Sequence, residues 1–364
     1  MERKRKMSEK KTVFSKYDSI TNSYQRKFLS SLREQIPLEE KWIVHEKLHG
    51  TNFSVILGVG TDNISFARRN DILRQDDKFF GYQRMVPILT PKMCTLGELI
   101  QKIYPNTEQI TVYGELVGGS YPSLASGTML GMSLRGDFEQ IQEHIYYCPH
   151  HEYFAFDIKI RSGERDFYLD VGSAHELLKE AEFRVVPELK SNLSLDEALE
   201  FDTKFDTVVP SLLGMAFFTP NLCEGIVIRP MRDFTLKNGA RAILKKKNLE
   251  FMEKMGVKVK PRKEEIRKFP DIINYINENR YNNVYSKFPN DVSIGQLGKA
   301  LMEDVVEEYL SDHEDLFSVT PKGGAPLNGT GSEIPFSDKK SQLKVLRKEV
   351  STLVFPFVRQ KLLV

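Results

Sequence analysis

The chain has 364 residues, 40% hydrophobic and 28% charged, which is typical of a folded protein long enough for two domains. Its net charge is only +2, so any nucleic-acid surface must come from local clusters of cations. We find no apolar run that could cross a bilayer or act as a signal core, and the three separated cysteines fit neither a disulfide framework nor a zinc site. These features exclude a membrane-spanning or disulfide-rich protein. They predict an intracellular protein in a reducing compartment, with cytoplasm, nucleus and organelles left open.

Residues 1–13 are rich in lysine and arginine and lack apolar side chains that could form a core. This composition predicts a disordered tail, which could contact RNA, act in targeting or only improve solubility. After an amphipathic helix around residues 24–32, strands dominate up to residue 250. We therefore predict one domain over residues 14–250.

The first two predicted strands, residues 42–45 and 53–57, flank a turn that begins at Lys47 and contains Gly50. Gly50 would allow a close backbone approach or a positive φ angle. At neutral pH only about one ordinary lysine in a thousand carries the free amine that a nucleophile needs. A nucleophilic Lys47 therefore requires other cations nearby, from distant sequence. Taken alone, Lys47 is more simply explained as a solvated lysine at a strand end.

Further predicted strands end or continue in polar residues. In chain order these are Arg68 and Arg69, Glu115 after Gly114, Phe156 followed by Asp157, Glu224 before Gly225, and the run Lys245, Lys246 and Lys247. Strand geometry places Lys245 and Lys247 on one face and Lys246 on the other. Each pattern alone is also compatible with solvated strand ends or, for the aromatic residue, with core packing.

Beyond residue 250 charged amphipathic patterns replace the strands. They predict helices over residues 264–278 and 294–309 and a last helix from Lys339 that bends at Pro356. A flexible loop is expected over residues 321–331. The change of character predicts a second, helical domain over residues 251–364.

The order of these stretches resembles the six motifs of covalent nucleotidyltransferases, whose nucleotidyl-lysine motif is usually written KxDG. His49 replaces the aspartate, and the sequence from Lys47 to Phe53 resembles the RNA ligase 2 family, which includes phage RNA ligase 2 and the kinetoplastid RNA-editing ligases. The resemblance extends over nearly the whole chain from Phe14. It implies an α+β fold: a nucleotidyltransferase domain of the ligase-adenylation, ATP-grasp-like kind with antiparallel sheets, followed by a helical C-terminal domain.

The resemblance also implies a reaction. The chain would join 3′-hydroxyl and 5′-phosphate RNA ends, preferably at nicks in duplex RNA, through a lysyl-AMP intermediate and an RNA-adenylate, using ATP and Mg²⁺ or Mn²⁺. A monomer is the default expectation. The implied catalytic residues are Lys47, Arg69, Glu115, Lys245 and Lys247. Contacts to ATP would come from these and from Glu46, His49, Asn52, Phe156 and Glu224, and contacts to the metal from Glu115, Glu224 and Asp157.

Two alternatives remain open. A DNA ligase or an mRNA capping enzyme would use the same lysine chemistry, although both normally keep the aspartate that His49 replaces. A non-catalytic RNA-binding protein could keep the fold, but such relatives usually lose some of the catalytic residue types, which are all present in this sequence.

Overall fold

The computed structural model describes residues 12–59, 63–125, 128–133, 138–163, 165–217, 219–248, 251, 269–288, 292–313 and 339–362. The first eleven residues and the loop predicted over residues 321–331 lie outside this part of the chain. The structure divides into two compact units after Asn248.

The N-terminal unit contains all thirteen described strands. In chain order they are β1 (Thr21–Asn22), β2 (Trp42–Lys47), β3 (Thr51–Gly58), β4 (Ile64–Arg68), β5 (Gln109–Gly118), β6 (Pro122–Ala125), β7 (Thr128–Ser133), β8 (His151–Ser162), β9 (Arg165–Tyr168), β10 (Arg184–Val185), β11 (Glu188–Leu193), β12 (Gly225–Pro230) and β13 (Leu244–Lys247). One sheet has the order β1-β13-β12-β2-β11, and the second has the order β10-β8-β5-β3-β4 with β9 on β8. Strands β6 and β7 form a separate pair. All pairs are antiparallel except the two edge pairs β1 with β13 and β10 with β8.

The N-terminal unit has five described α-helices, and the first four pack on the outer faces of its sheets. They are α1 (Arg26–Gln35), α2 (Val86–Ile103), α3 (Val171–Glu180), α4 (Leu195–Glu200) and α5 (Val209–Leu212), with a 3₁₀ helix at Tyr82–Arg84. Alternation decides which strand residues meet them. Trp42 and Val44 of β2 pack with α1 and α4, whereas Phe53 and Val55 of β3 pack with α2 and α3.

Between the sheets lies a small aromatic cluster. Tyr17 packs against Tyr113 of β5 and Phe156 of β8, with ring centroids 5.0 and 4.9 Å away, and Val227 of β12 closes the cluster from the other sheet. The inner faces of the two sheets therefore face each other. Residues of opposite sequence parity from the outer cores line the space between them.

The C-terminal unit is helical. Its described elements are a 3₁₀ helix (Pro270–Tyr275), α6 (Glu278–Tyr285), α7 (Ile294–Asp312) and α8 (Lys339–Leu362), which continues through Pro356. The fully buried Arg280 of α6 pairs with Asp304 and Glu308 of α7. The helix predicted over residues 264–278 is wrong where it can be compared. Residues 270–275 form a 3₁₀ turn, with proline in its first turn, and α6 starts only at Glu278, capped by Asn277.

The predicted α+β architecture with antiparallel sheets and C-terminal helices is confirmed. None of the helices in the described part of the chain is both long and apolar enough to span a bilayer.

Candidate active site

The site forms around the carboxylate of Glu224, which immediately precedes β12. The Lys47 amine lies 2.5 Å from Glu224 Oε2, and the Lys247 amine lies 3.2 Å from Oε1. Glu224 is 5% exposed, whereas the Lys47 side chain is 19% exposed. The carboxylate is thus enclosed between two lysines that solvent can still reach.

Strand register explains this meeting of residues from three distant parts of the sequence. Strand β12 lies between β2 and β13, and Gly225 is aligned with Lys47 on one side and with Lys247 on the other. Lys245 shares the inner face with Lys247 because side chains alternate along β13. Lys246 points to the outer face, where its amine donates to the carbonyls of Leu199 and Phe201. The predicted division of the three lysines is confirmed.

Glu224 is held in its ionised form. Burial alone would raise its pKa, but the Lys47 and Lys247 ammonium groups and the hydrogen bond from His49 hold the pKa of Glu224 well below its usual value. His49 Nδ1 lies 3.5 Å from the same carboxylate oxygen as Lys47. The structure thus brings four predicted residues, Lys47, His49, Glu224 and Lys247, into one cluster.

Glu115 approaches the cluster from the second sheet. It is aligned with Asn52 in the β3–β5 register, and its Oε1 accepts a hydrogen bond of 3.2 Å from the Gly50 amide. Burial raises the pKa of Glu115 to about 7, helped by the Glu224 charge and opposed by Lys47, Gly50 and Arg69. Gly50 is needed for close approach, since a Cβ there would lie 2.1 Å from the carbonyl oxygen of Leu116.

The two neighbouring arginines have different environments. Arg68 binds Asp71 through two hydrogen bonds of 2.5 and 3.0 Å. Arg69 follows β4 directly, and its charge acts on Glu115. Among the residues that the structure describes, Arg69 has no ion pair of its own. Of the two, Arg69 is therefore the one available to an anion.

Glu46 lies on the other face of β2. Its carboxylate accepts hydrogen bonds from the Thr207 hydroxyl and, at 3.0 Å, from the Val208 amide. Burial raises its pKa to about 7 despite these two donors. Its side chain therefore does not join Lys47, and the ATP contact of Glu46 stays a prediction.

Asp157 is committed to a different cluster. Its Oδ2 accepts from the Arg241 guanidinium at 2.8 Å and the Tyr17 hydroxyl at 2.9 Å, and Arg229 lies 3.3 Å away. Burial opposes ionisation, but Arg229 and Arg241 hold the pKa of Asp157 below its usual value. Two arginines surround this fully buried carboxylate, an environment that does not favour the predicted metal contact, which stays a prediction. Phe156, beside it, keeps a partly exposed ring against Tyr17 between the sheets.

The three predicted metal ligands, Glu115, Glu224 and Asp157, do not lie together as one cluster. The described residues contain no group of three or more His, Cys, Asp or Glu side chains that could hold an ion. Glu115 and Glu224 remain as carboxylate donors near Lys47.

The sequence did not predict the residues that hydrogen-bond to the backbone of the turn after Lys47. Tyr147 accepts a hydrogen bond of 2.8 Å from the His49 amide, and Gln142 donates one of 3.2 Å to the Gly50 carbonyl. Arg229 and Arg241 were likewise not predicted as partners of Asp157. No local pattern identifies them, because every contact joins residues far apart in sequence.

Comparison with known proteins supplies the remaining observation. A family model described as RNA ligase matches residues 40–247, more than half of the chain. The mitochondrial RNA-editing ligase 2 of Trypanosoma brucei brucei is 27% identical over 354 residues, covering 83% of this chain and 84% of that protein. The mitochondrial RNA-editing ligase 1 of Trypanosoma brucei brucei is 28% identical over 250 residues, covering 62% of this chain and 53% of that protein. A solved structure of Naegleria gruberi RNA ligase with ATP and Mn has a TM-score of 0.42 and 16% identity, covering 66% of this chain and 58% of that one.

Proposed function

The chain belongs to the RNA ligase family, and on that premise we propose that it is an ATP-dependent enzyme that joins 3′-hydroxyl and 5′-phosphate RNA ends. The observation that carries this proposal is the Lys47 amine, which lies in a partly exposed cluster with a second lysine, a histidine and an ionised glutamate. A solvated lysine at a strand end would not need such partners.

In the first step the Lys47 amine attacks the α-phosphorus of ATP. A nitrogen–phosphorus bond forms, the bond to the bridging oxygen breaks and pyrophosphate leaves, while the attacking amine releases one proton to solvent and the phosphoramide nitrogen keeps the other. Charge develops on the phosphate oxygens, and Lys247, Lys245 and Arg69 are the cations proposed to stabilise it. The Lys47 amine lies 2.5 Å from Glu224 Oε2, so it must leave this contact to reach the α-phosphorus.

Glu115 and Glu224 would hold the divalent ion. Their hard oxygen donors suit Mg²⁺ or Mn²⁺, and the remaining ligands would be phosphate oxygens and water, as is common for Mg²⁺. When bound, the ion would neutralise part of the triphosphate charge.

The nucleotide base would occupy the space between the two sheets. Phe156 has a partly exposed ring there, and a flat aromatic face can stack on adenine. Asn52 is proposed as a phosphate or ribose contact, since this residue of β3 is aligned with Glu115 of β5. His49 would meet the same groups once Glu224 turns to the nucleotide.

The second and third steps act on RNA. AMP moves from Lys47 to the 5′-phosphate of one strand, and the 3′-hydroxyl of the other strand then attacks that phosphate and releases AMP. We further propose that the preferred substrate is a nick in duplex RNA, recognised through the A-form backbone and 2′-hydroxyls. A monomer acting in an intracellular, reducing compartment is the simplest form of the enzyme.

Covalent labelling tests the proposal directly. Wild-type protein freed of bound AMP is incubated with α-labelled ATP and Mg²⁺ beside Lys47→Ala. The label should stay on the wild-type protein, be released by acid as a phosphoramide is, and be absent from the variant. If wild type takes up no label from ATP, the proposal fails. Label from GTP alone would favour a capping enzyme, and none from either nucleotide a binding protein.

Substrate preference is then read from sealing. Nicked duplex RNA, the same nick in DNA and the corresponding single strands are compared at equal concentration. Faster sealing of the RNA nick than of the other three supports the proposed substrate. Equal or faster sealing of the DNA nick would favour a DNA ligase.

A further inference from the structure

The turn that carries the Lys47 motif has no strand partner. Strand β2 ends at Lys47 and β3 starts at Thr51, so the backbone of residues 48–50 must find its hydrogen bonds elsewhere. Three of those groups are bound by side chains. The His49 amide donates to the Tyr147 hydroxyl, the Gly50 amide donates to Glu115, and the Gly50 carbonyl accepts from Gln142.

Two of these three side chains have no other role in the proposed reaction. Tyr147 is 1% exposed and Gln142 is 7% exposed, and both lie between β7 and β8, far in sequence from Lys47. Burial and the nearby carboxylate of Glu46 raise the pKa of Tyr147 well above its usual value, so the phenol stays neutral. Its oxygen accepts the hydrogen bond of 2.8 Å from the His49 amide.

We propose that Tyr147 and Gln142 are positioning residues that clamp the His49–Gly50 backbone and thereby fix where the Lys47 amine meets the α-phosphate. This inference rests on the proposed function and adds to it. The same turn carries the His49 ring, whose Nδ1 lies 3.5 Å from Glu224. Misplacement of a reacting group by about 1 Å can cost about a hundredfold in rate, so two buried hydrogen bonds on this turn can control the adenylation step.

The test uses the full chain with two nearly isosteric variants, Tyr147→Phe and Gln142→Met. Each removes the hydrogen-bonding group and keeps most of the volume. Tyr82→Phe and Gln109→Met are matched controls. Tyr82 is buried and its hydroxyl donates to the Arg74 carbonyl at 2.8 Å, and Gln109 is 7% exposed and donates to the Val13 carbonyl at 2.9 Å.

Three quantities are measured. They are the rate constant and KM for ATP in self-adenylation, the sealing of a nick that is already adenylated, and hydrogen–deuterium exchange of the peptide that contains His49. The second does not require Lys47 as a nucleophile, and the third requires no activity at all. Melting temperatures identify any variant that fails to fold.

The clamp predicts a loss of about tenfold or more in the adenylation rate constant for Tyr147→Phe and Gln142→Met, with KM for ATP and sealing of the adenylated nick within about threefold of wild type. Exchange at His49 should become faster in Tyr147→Phe. Adenylation within threefold of wild type, or an equal loss in the two controls, would overturn the inference. If wild type itself takes up no label, the proposed function fails. Hydrogen–deuterium exchange then still tests whether Tyr147 holds the backbone of the turn. Unchanged exchange at His49 in Tyr147→Phe overturns the clamp, and faster exchange supports it.

Discussion

Two carboxylates in the N-terminal unit are each bound by two cations, but the cations differ in type and in exposure to solvent. Asp157 is fully buried between Arg229 and Arg241. Glu224 is bound by Lys47 and Lys247, whose side chains are partly exposed. A guanidinium cannot lose its proton in a protein, whereas an ammonium can. The arginine cluster is therefore a structural link between the sheets, and the lysine cluster is the one that we propose to react.

Replacing Lys47 of the lysine cluster by arginine should have the largest effect, and that effect should be on self-adenylation. Lys47→Arg keeps a cation beside Glu224 but removes the amine lone pair, so label uptake from ATP should fall by about 10⁴-fold or more. The unfolding free energy should change by less than about 1 kcal/mol, because the pair is partly exposed. Quantitative autoradiography and thermal melts measure the two. A variant that still takes up label at more than a hundredth of the wild-type rate would exclude Lys47 as the nucleophile.

Removing the charge of Asp157 should cost stability. Asp157→Asn leaves Arg229 without its buried ion-pair partner and weakens the hold on Arg241, which keeps Asp233. Breaking a buried pair in this way costs about 3–5 kcal/mol, measured by urea unfolding of the full chain. Asp166→Asn is the control, since Asp166 also lies near two cations, Lys159 and Arg161, but at the surface. Equal losses for both variants would refute the distinction between buried and exposed clusters.

Removing the charge of Glu224 should mainly affect catalysis. Glu224→Gln leaves the Lys47 and Lys247 ammonium groups without their shared counter-ion and removes one proposed metal ligand. We expect adenylation to slow by about a hundredfold, with a loss of stability smaller than that of Asp157→Asn. Raising the Mg²⁺ concentration should recover part of the rate. A variant that melts far below wild type but adenylates at the normal rate would reverse the roles given to the two carboxylates.

The smallest expected effect is on the pH dependence of the unfolding free energy, and it comes from a histidine pair beside the arginine cluster. The His45 and His175 rings lie 5.0 Å apart, and burial, with Arg229 nearby, lowers the pKa of His175 to about 4. Unfolded histidine binds a proton below about pH 6.5, so the contribution of His175 to the unfolding free energy should fall between pH 6.5 and 4 by up to about 3 kcal/mol. Glu46 and Glu115, with pKa values raised to about 7, each act in the opposite direction by a similar amount, so the wild-type curve alone does not show the histidine contribution.

Comparing variants isolates the histidine contribution. As the pH falls over this range, the unfolding free energy of His175→Gln should rise relative to that of wild type, measured by urea unfolding at several pH values. His144→Gln, at an exposed site, should follow wild type. A His175→Gln curve parallel to that of wild type would mean that His175 titrates normally in the folded protein.

Much of the fold was predictable because its signals are local. Alternating apolar residues identified β2 and β3 on either side of the Lys47 turn, and the same alternation assigned Lys245 and Lys247 to one face. The capping box of Ser194 and Glu197 marks the start of α4 in a similarly local way. The helix expected over residues 264–278 was wrong in its second half because an amphipathic pattern does not reveal how a proline and a cap divide a segment.

The sequence by itself determined which chemical groups are present and the strand ends that carry them: Lys47, Glu224 and Lys247 each occur where a strand starts or ends. Only the tertiary structure decided how carboxylates and cations pair. Asp157 and Glu224 both lie beside apolar strand residues, and nothing local indicates that one binds arginines and the other lysines. The reason is physical. Burial and counter-ions, which fix whether a carboxylate is structural or reactive, come from strands brought together by register across long stretches of chain.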